Sequence, residues 1–155
     1  VFRQSVTVSG VVAATPEQVW RVLTDLERAP QVRSNLRELE PVTGLAYRVG
    51  CQWRETRVTL GRPKRHLMRV AEIQQPWRTV VTGTTDGVDH VTTTDLTRHA
   101  RGTRLALTLG VRHADATPAQ RLLWWLLRPV CVRVARTMLA TEIADIGAEA
   151  ERAGR

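Results

Sequence analysis

The order in which this chain lays out its patterns constrains its fold more than any single motif. An alternating strand, Val6-Thr-Val-Ser-Gly-Val-Val12, runs almost directly into a capped helix at Thr15-Pro-Glu-Gln-Val-Trp20. About six strand patterns follow with little helix between them, and one long helical segment begins after Thr117-Pro118. The later strands are separated by short turn signals, Gly61-Arg-Pro-Lys64, Gln75-Pro76, Asp86-Gly87 and Arg101-Gly102, which predict consecutive hairpins and therefore an antiparallel sheet. One long helix offered to one curved sheet makes a cup, and a cup suits a small apolar molecule.

The first strand is expected over Arg3–Ala14, with Phe2, Val6, Val8 and Val12 on one face. Thr15 is a good N-cap, Gln18 completes a capping box, and Val19, Trp20 and Leu23 form the buried side of a helix ending near Asp25. A second short helix is expected over Leu26–Arg33. Strands are predicted at Arg37–Val42, Tyr47–Leu60, His66–Gln74, Arg78–Thr85, Val88–His99 and Thr103–His113. The last helix runs from Pro118 to about Arg152, with a kink expected at Pro129. Residues 1–155 are read as one α+β domain.

A net charge of +8 invites a nucleic-acid reading, but the bases do not gather. Lys64 is the only lysine among 23 basic residues, and the arginines are scattered singly; the densest cluster, Arg62-Pro-Lys-Arg65, falls in a turn. No nucleic-acid partner is expected. Arg128 and Arg133 interrupt the most apolar stretch, Leu122–Ala135, well short of the ~20 residues a spanning helix needs, so no membrane span is expected. Cys51 and Cys131 have no metal-ligand spacing around them. The residues given show no apolar leader, and a reducing, cytoplasmic setting without metal or cofactor is the expectation. No nucleophile elbow or phosphate loop is present.

Pairing arithmetic reaches into the cup. With Asp86-Gly87 as a two-residue turn, Gly83 lies opposite His90, Val81 opposite Thr92, Thr79 opposite Thr94 and Trp77 opposite Leu96. Leu96 should point inward with Leu105, Leu107, Leu109 and Val111, which brings His90, Thr92 and Thr94 to the inner face and His90 near His113. Unpaired buried hydroxyls and imidazoles cost ~1–3 kcal/mol, so such a face suits water or a ligand. A one-residue bulge would turn the same face to solvent. On the strand His66–Gln74, either Leu67, Arg69, Ala71 and Ile73 face inward, or His66, Met68 and Val70 do. Leu127, Cys131, Val134 and Met138 form a stripe that fits either the helix side of the cavity or ordinary core. The apolar residues of Leu122–Leu127 wrap around the helix, so at least one of Trp124 and Trp125 should be exposed, as a membrane or partner anchor or in a homodimer contact.

Thr15-Pro-Glu-Gln-Val-Trp-Arg-Val-Leu-Thr-Asp25 resembles the opening helix of the START-like (SRPBCC) superfamily, which includes bacterial polyketide cyclases and dehydrases. Gly50-Cys-Gln-Trp-Arg-Glu-Thr-Arg57, Glu72-Ile-Gln-Gln-Pro-Trp-Arg78 and Gly102-Thr-Arg-Leu-Ala-Leu-Thr108 are similar to its third-strand motif, a later turn and a later strand. The resemblance implies a helix-grip: a seven-stranded antiparallel sheet wrapped around a long C-terminal helix, with two short helices after the first strand. It favours the inward set containing Arg69, because similar aromatase/cyclases carry an inward arginine on this strand; theirs aligns with Ala71, and a pocket histidine of theirs with Leu109. Trp53 and Glu55 join the candidate lining, with Arg57 in the same network. The function implied is binding of a hydrophobic small molecule and its cofactor-independent cyclisation or dehydration, with Arg69 or His90 polarising a carbonyl or moving a proton. The alternatives are a non-catalytic carrier or sensor of a lipid or isoprenoid quinone, and a partner-binding module using the tryptophan pair.

Overall fold

Thr15 caps helix α1 (Pro16–Thr24) as the sequence predicts: its hydroxyl accepts from the Gln18 amide, and the Gln18 side chain accepts from the Thr15 amide. A cap of this kind is worth roughly 1 kcal/mol. It places Val19, Trp20 and Leu23 against the sheet. The structure, a computed structural model, describes residues 4–113 and 116–155, so the Phe2 and Arg3 expectations fall outside it. Strand β1 (Gln4–Val12) precedes α1, and a one-turn helix α2 (Ala29–Val32) follows it, shorter than expected. The chain then forms β2 (Leu36–Pro41), β3 (Gln52–Thr59), β4 (Arg62–Gln74), β5 (Arg78–Thr85), β6 (Val88–His99) and β7 (Gly102–His113). It ends in α3 (Pro118–Ala153), which continues through Pro129.

The seven strands make one antiparallel sheet in the order β1-β7-β6-β5-β4-β3-β2, wrapped around α3 as the helix-grip reading requires. Asp86 and Gly87 both have positive φ, +50° and +75°, the geometry a two-residue hairpin turn demands. Thr85 consequently pairs with Val88, Gly83 with His90, Val81 with Thr92 and Thr79 with Thr94, the expected register. The β3–β4 connection differs from the expectation. Its turn is Leu60-Gly61, with φ of +51° and +74°, so β4 starts at Arg62 rather than His66. Tyr47–Cys51, expected as strand, is loop.

Only the second half of α3 grips. Leu139, Ile143, Ile146 and Ala150 pack with Val12, Val19, Trp20, Leu96, Leu105 and Leu107 into the main core. Gly10 of β1 sits beneath α3, and a methyl group there would lie 3.0 Å from the Ile143 side chain. A second cluster, Leu26, Cys51, Trp53, Met68 and Val70, fills the other side of the sheet's concave face. Between the two clusters the space is open.

Candidate functional site

Strand alternation builds the cavity wall. β3 contributes Trp53, Glu55, Arg57 and Thr59, and α3 closes the opposite side with Ala135, Met138, Leu139 and Glu142. The hairpins between bring in Thr79 and Val81 from β5 and His90, Thr92 and Thr94 from β6. The cavity volume is about 360 Å³, within the range of small-molecule sites.

One end of the cavity holds a buried ion network. Arg57 Nε donates to Glu55 Oε1 at 2.5 Å, and Arg57 Nη1 donates to Glu142 Oε2 at 3.0 Å. Arg33 Nη1 lies 3.3 Å from Glu142 Oε1, while its Nη2 donates to the Leu23 carbonyl at 2.8 Å. The Trp53 indole N–H donates to the remaining oxygen of Glu55 at 2.8 Å. Burial alone would raise the pKa of Glu55 and Glu142; the neighbouring arginines outweigh it, so both carboxyls titrate below the ordinary range. Two cations and two anions cancel, which makes this end polar but neutral. Arg33 Nε is buried without an acceptor among the described residues.

The second polar group is a histidine pair. His90 Nε2 lies 3.3 Å from His66 Nδ1, which also meets the Thr85 hydroxyl, and the rings stand edge to face at 72°. The His90 ring lies over Gly83, where a Cβ would be only 2.0 Å from His90 Cε1 and 2.6 Å from Met68 Sδ. The absent side chain is what leaves room for the imidazole. Burial, reinforced by the neighbouring His66, lowers the pKa of His90 to about 4, and burial lowers that of His66 as well. Both rings are therefore neutral at physiological pH. Nearer the core, Tyr47 donates to Thr79 Oγ1 at 2.8 Å and Thr79 donates to the Glu72 carbonyl at 3.0 Å; burial raises the Tyr47 pKa and keeps it a phenol.

An NMR titration of the His90 imidazole should accordingly show a midpoint near pH 4. Because the unfolded imidazole takes its proton near pH 6.5, stability should fall between pH 6.5 and about 4 and draw no further loss from His90 below that. A midpoint at 6 or above would mean that the ring faces solvent.

Of the residues expected at the site, the structure brings together His90, Trp53, Glu55, Thr79, Val81, Thr92, Thr94 and Leu109. Arg69 is corrected: it is exposed, because the β3–β4 register pairs it with Gln52 and turns His66, Met68 and Val70 inward instead. Its place as the inward arginine is taken by Arg57, with Arg33 beside it. Trp77 belongs to the turn before β5 and lies under the Arg98 guanidinium, 5.6 Å from the ring centre, on the protein surface. Leu107 faces inward but is sealed in the main core. Leu127 and Cys131 are exposed, because α3 reaches the sheet only from about Ala135 onward. The His113 backbone ends β7 opposite Val88, and its side chain lies outside the described residues. Arg33, Tyr47, His66 and Glu142 were not anticipated; for His66 the signal existed in the alternative inward set of β4.

The sequence matches, over residues 3–151, the family described as polyketide cyclase / dehydrase and lipid transport. No curated protein sequence matches the chain. Among solved structures, TTHA0849 from Thermus thermophilus is similar at 20% identity and a TM-score of 0.78, covering 98% of this chain and 100% of that one. The Zhui aromatase/cyclase from a Streptomyces species aligns at 19% identity and a TM-score of 0.74, covering 98% and 96%. A START superfamily protein from Mycobacterium smegmatis aligns at 17% identity and a TM-score of 0.72, covering 97% of each chain. At these identities the likeness is one of fold.

Proposed function

Because this chain belongs to the family described as polyketide cyclase / dehydrase and lipid transport, START-like in fold, we propose that its cavity takes a neutral, oxygenated hydrophobic molecule and cyclises or dehydrates it without a cofactor. The observation that carries this reading is the neutral imidazole pair, His66 and His90, set in an otherwise largely apolar cavity. A neutral imidazole offers a lone pair as proton acceptor, and the ion network cancels its own charge, so an anionic ligand gains little there. Carbon flanked by two carbonyls is acidic enough for a weak base. His90 takes that proton, the carbanion attacks a second carbonyl held across the cavity, and the resulting alkoxide recovers the proton. Loss of the hydroxyl with a neighbouring C–H proton then releases water. The Trp53–Glu55–Arg57 wall would fix the carbonyl end while the apolar wall folds the rest.

A second reading, a carrier of a lipid or isoprenoid quinone, is favoured by the apolar part of the lining, with Leu23, Leu26, Met68, Val81, Leu109 and Val111 all facing the cavity. Two measurements separate them: mass spectrometry of small molecules extracted from the purified protein, and product analysis after exposure to a poly-β-ketone thioester. Turnover that drops roughly 10²–10⁴-fold in His90→Ala supports the enzyme with His90 as its base. A lipid or quinone held near one per protein, with no turnover, establishes the carrier. Turnover unchanged in His90→Ala removes His90 from the chemistry.

A further inference from the structure

The first half of α3 is only sparsely covered by the described residues. All of its buried residues begin at Leu139, which leaves residues 118–134, about 25 Å of helix, outside the core. Leu122, Leu123, Trp125, Leu126 and Val130 are each more than half exposed, the largest value being 66% at Trp125. Helices in water draw most of their stability from a packed apolar face, so this segment calls for an apolar partner. Its charge is one-sided: residues 116–141 contain Arg121, Arg128, Arg133 and Arg136 and no aspartate or glutamate.

The same sign recurs where this segment meets the cavity. Thr59 Oγ1 lies 4.0 Å from Met138 Sδ, which sets the β3–β4 turn beside α3, and both residues line the cavity. That turn carries Leu60, 80% exposed, followed by Arg62, Lys64 and Arg65. Lys64 is paired with Asp86 at 4.0 Å, Arg65 with Glu40 at 3.4 Å and Arg112 with Asp89 at 2.9 Å, so most of the positive charge of this face comes from the arginines of α3.

We propose that the exposed half of α3, together with the Leu60 turn, docks this protein onto an anionic lipid bilayer surface with the cavity beside it. Leucine and tryptophan enter the interface while arginines meet acidic headgroups, the composition of an interfacial helix. A second copy of the chain fits less well, since a two-fold contact would set arginines against arginines. Among the described residues no helix is long and apolar enough to cross a membrane. The docking stands whether the cavity is catalytic or a carrier.

Flotation with phosphatidylcholine vesicles, with and without phosphatidylglycerol, tests this. The protein should float with the mixed vesicles and not with phosphatidylcholine alone, and salt should release it. Trp125→Glu with Leu126→Glu should abolish flotation, and Arg121→Gln with Arg128→Gln should weaken binding roughly 30-fold. Circular dichroism melting of each variant shows that the fold persists, since all four side chains lie outside the buried set. Absence of flotation, equal flotation with both vesicle types, or light scattering that reports a dimer lost in the Trp125/Leu126 variant would overturn the proposal.

Discussion

Glu142→Gln is expected to cost the fold about 3–5 kcal/mol, the range for breaking a buried ion pair by removing one partner. The substitution keeps the shape of the side chain and deletes the charge on which two arginines converge, Arg57 at 3.0 Å and Arg33 at 3.3 Å. Arg57 retains Glu55, but Arg33 is left with the Leu23 carbonyl alone among these partners. The comparison is Glu40→Gln, which removes an exposed partner of Arg65 and should cost no more than about 1 kcal/mol. Urea denaturation of the two variants reads the difference directly. Equal losses would mean that the network is solvated. The pH dependence has the same origin. Glu55 and Glu142 have folded pKa values below the ordinary 4.5, so their contribution is complete above pH 4.5 and is lost as the pH falls through the lower folded values. Glu142→Gln should flatten that acid limb.

Gly102→Ala is the second large effect. Gly102 holds a φ of +133°, and an added Cβ would lie 2.2 Å from the Val12 carbonyl oxygen and 2.9 Å from the Ala14 amide nitrogen. Those are backbone atoms at the end of β1, where the Ala14 carbonyl also accepts from the Thr103 hydroxyl at 2.7 Å, so they have little freedom to move aside. Strain and collision together should cost about 3 kcal/mol or more. Gly87→Ala is the control: its φ is +75° but nothing lies within 4 Å of the new methyl group, and about 1–2 kcal/mol is expected. Thermal melting of the pair distinguishes collision from backbone preference; similar losses would show that the β1 end yields.

How far the site was legible depended on which turns declared themselves. Asp86-Gly87 is a dipeptide that readily adopts positive φ twice, and from it the pairing of β5 with β6 follows; the apolar face of β7 then puts His90, Thr92 and Thr94 inside. Leu60-Gly61 has the same geometry, but a leucine at positive φ gives no such signal. Had it been read, Glu55 opposite His66 and Trp53 opposite Met68 would have put His66 inside and Arg69 outside. The irregularity between Val70 and Glu72 hid this further, because it returns Ile73 to the inner side and lends the Arg69 set a false alternation. Arg33 and Glu142 had no local signal at all: they meet across more than a hundred residues, and only the closed fold joins them. The apolar surround of α3 was plain in the sequence, while the place where the sheet stops covering it was not.

The grip of α3 on β1 also bears on how the chain reaches its native state. The Ala13 amide donates to Glu151, 138 residues later, and Gly10 packs under Ile143. The first strand therefore has its helical cover only after the last helix has been synthesised. Until then β1 can hold only its place at the sheet edge beside β7, and half the main core stays open to water. Such high contact order places folding in the slower, millisecond-to-second class and leaves that open face as the aggregation hazard of the nascent chain.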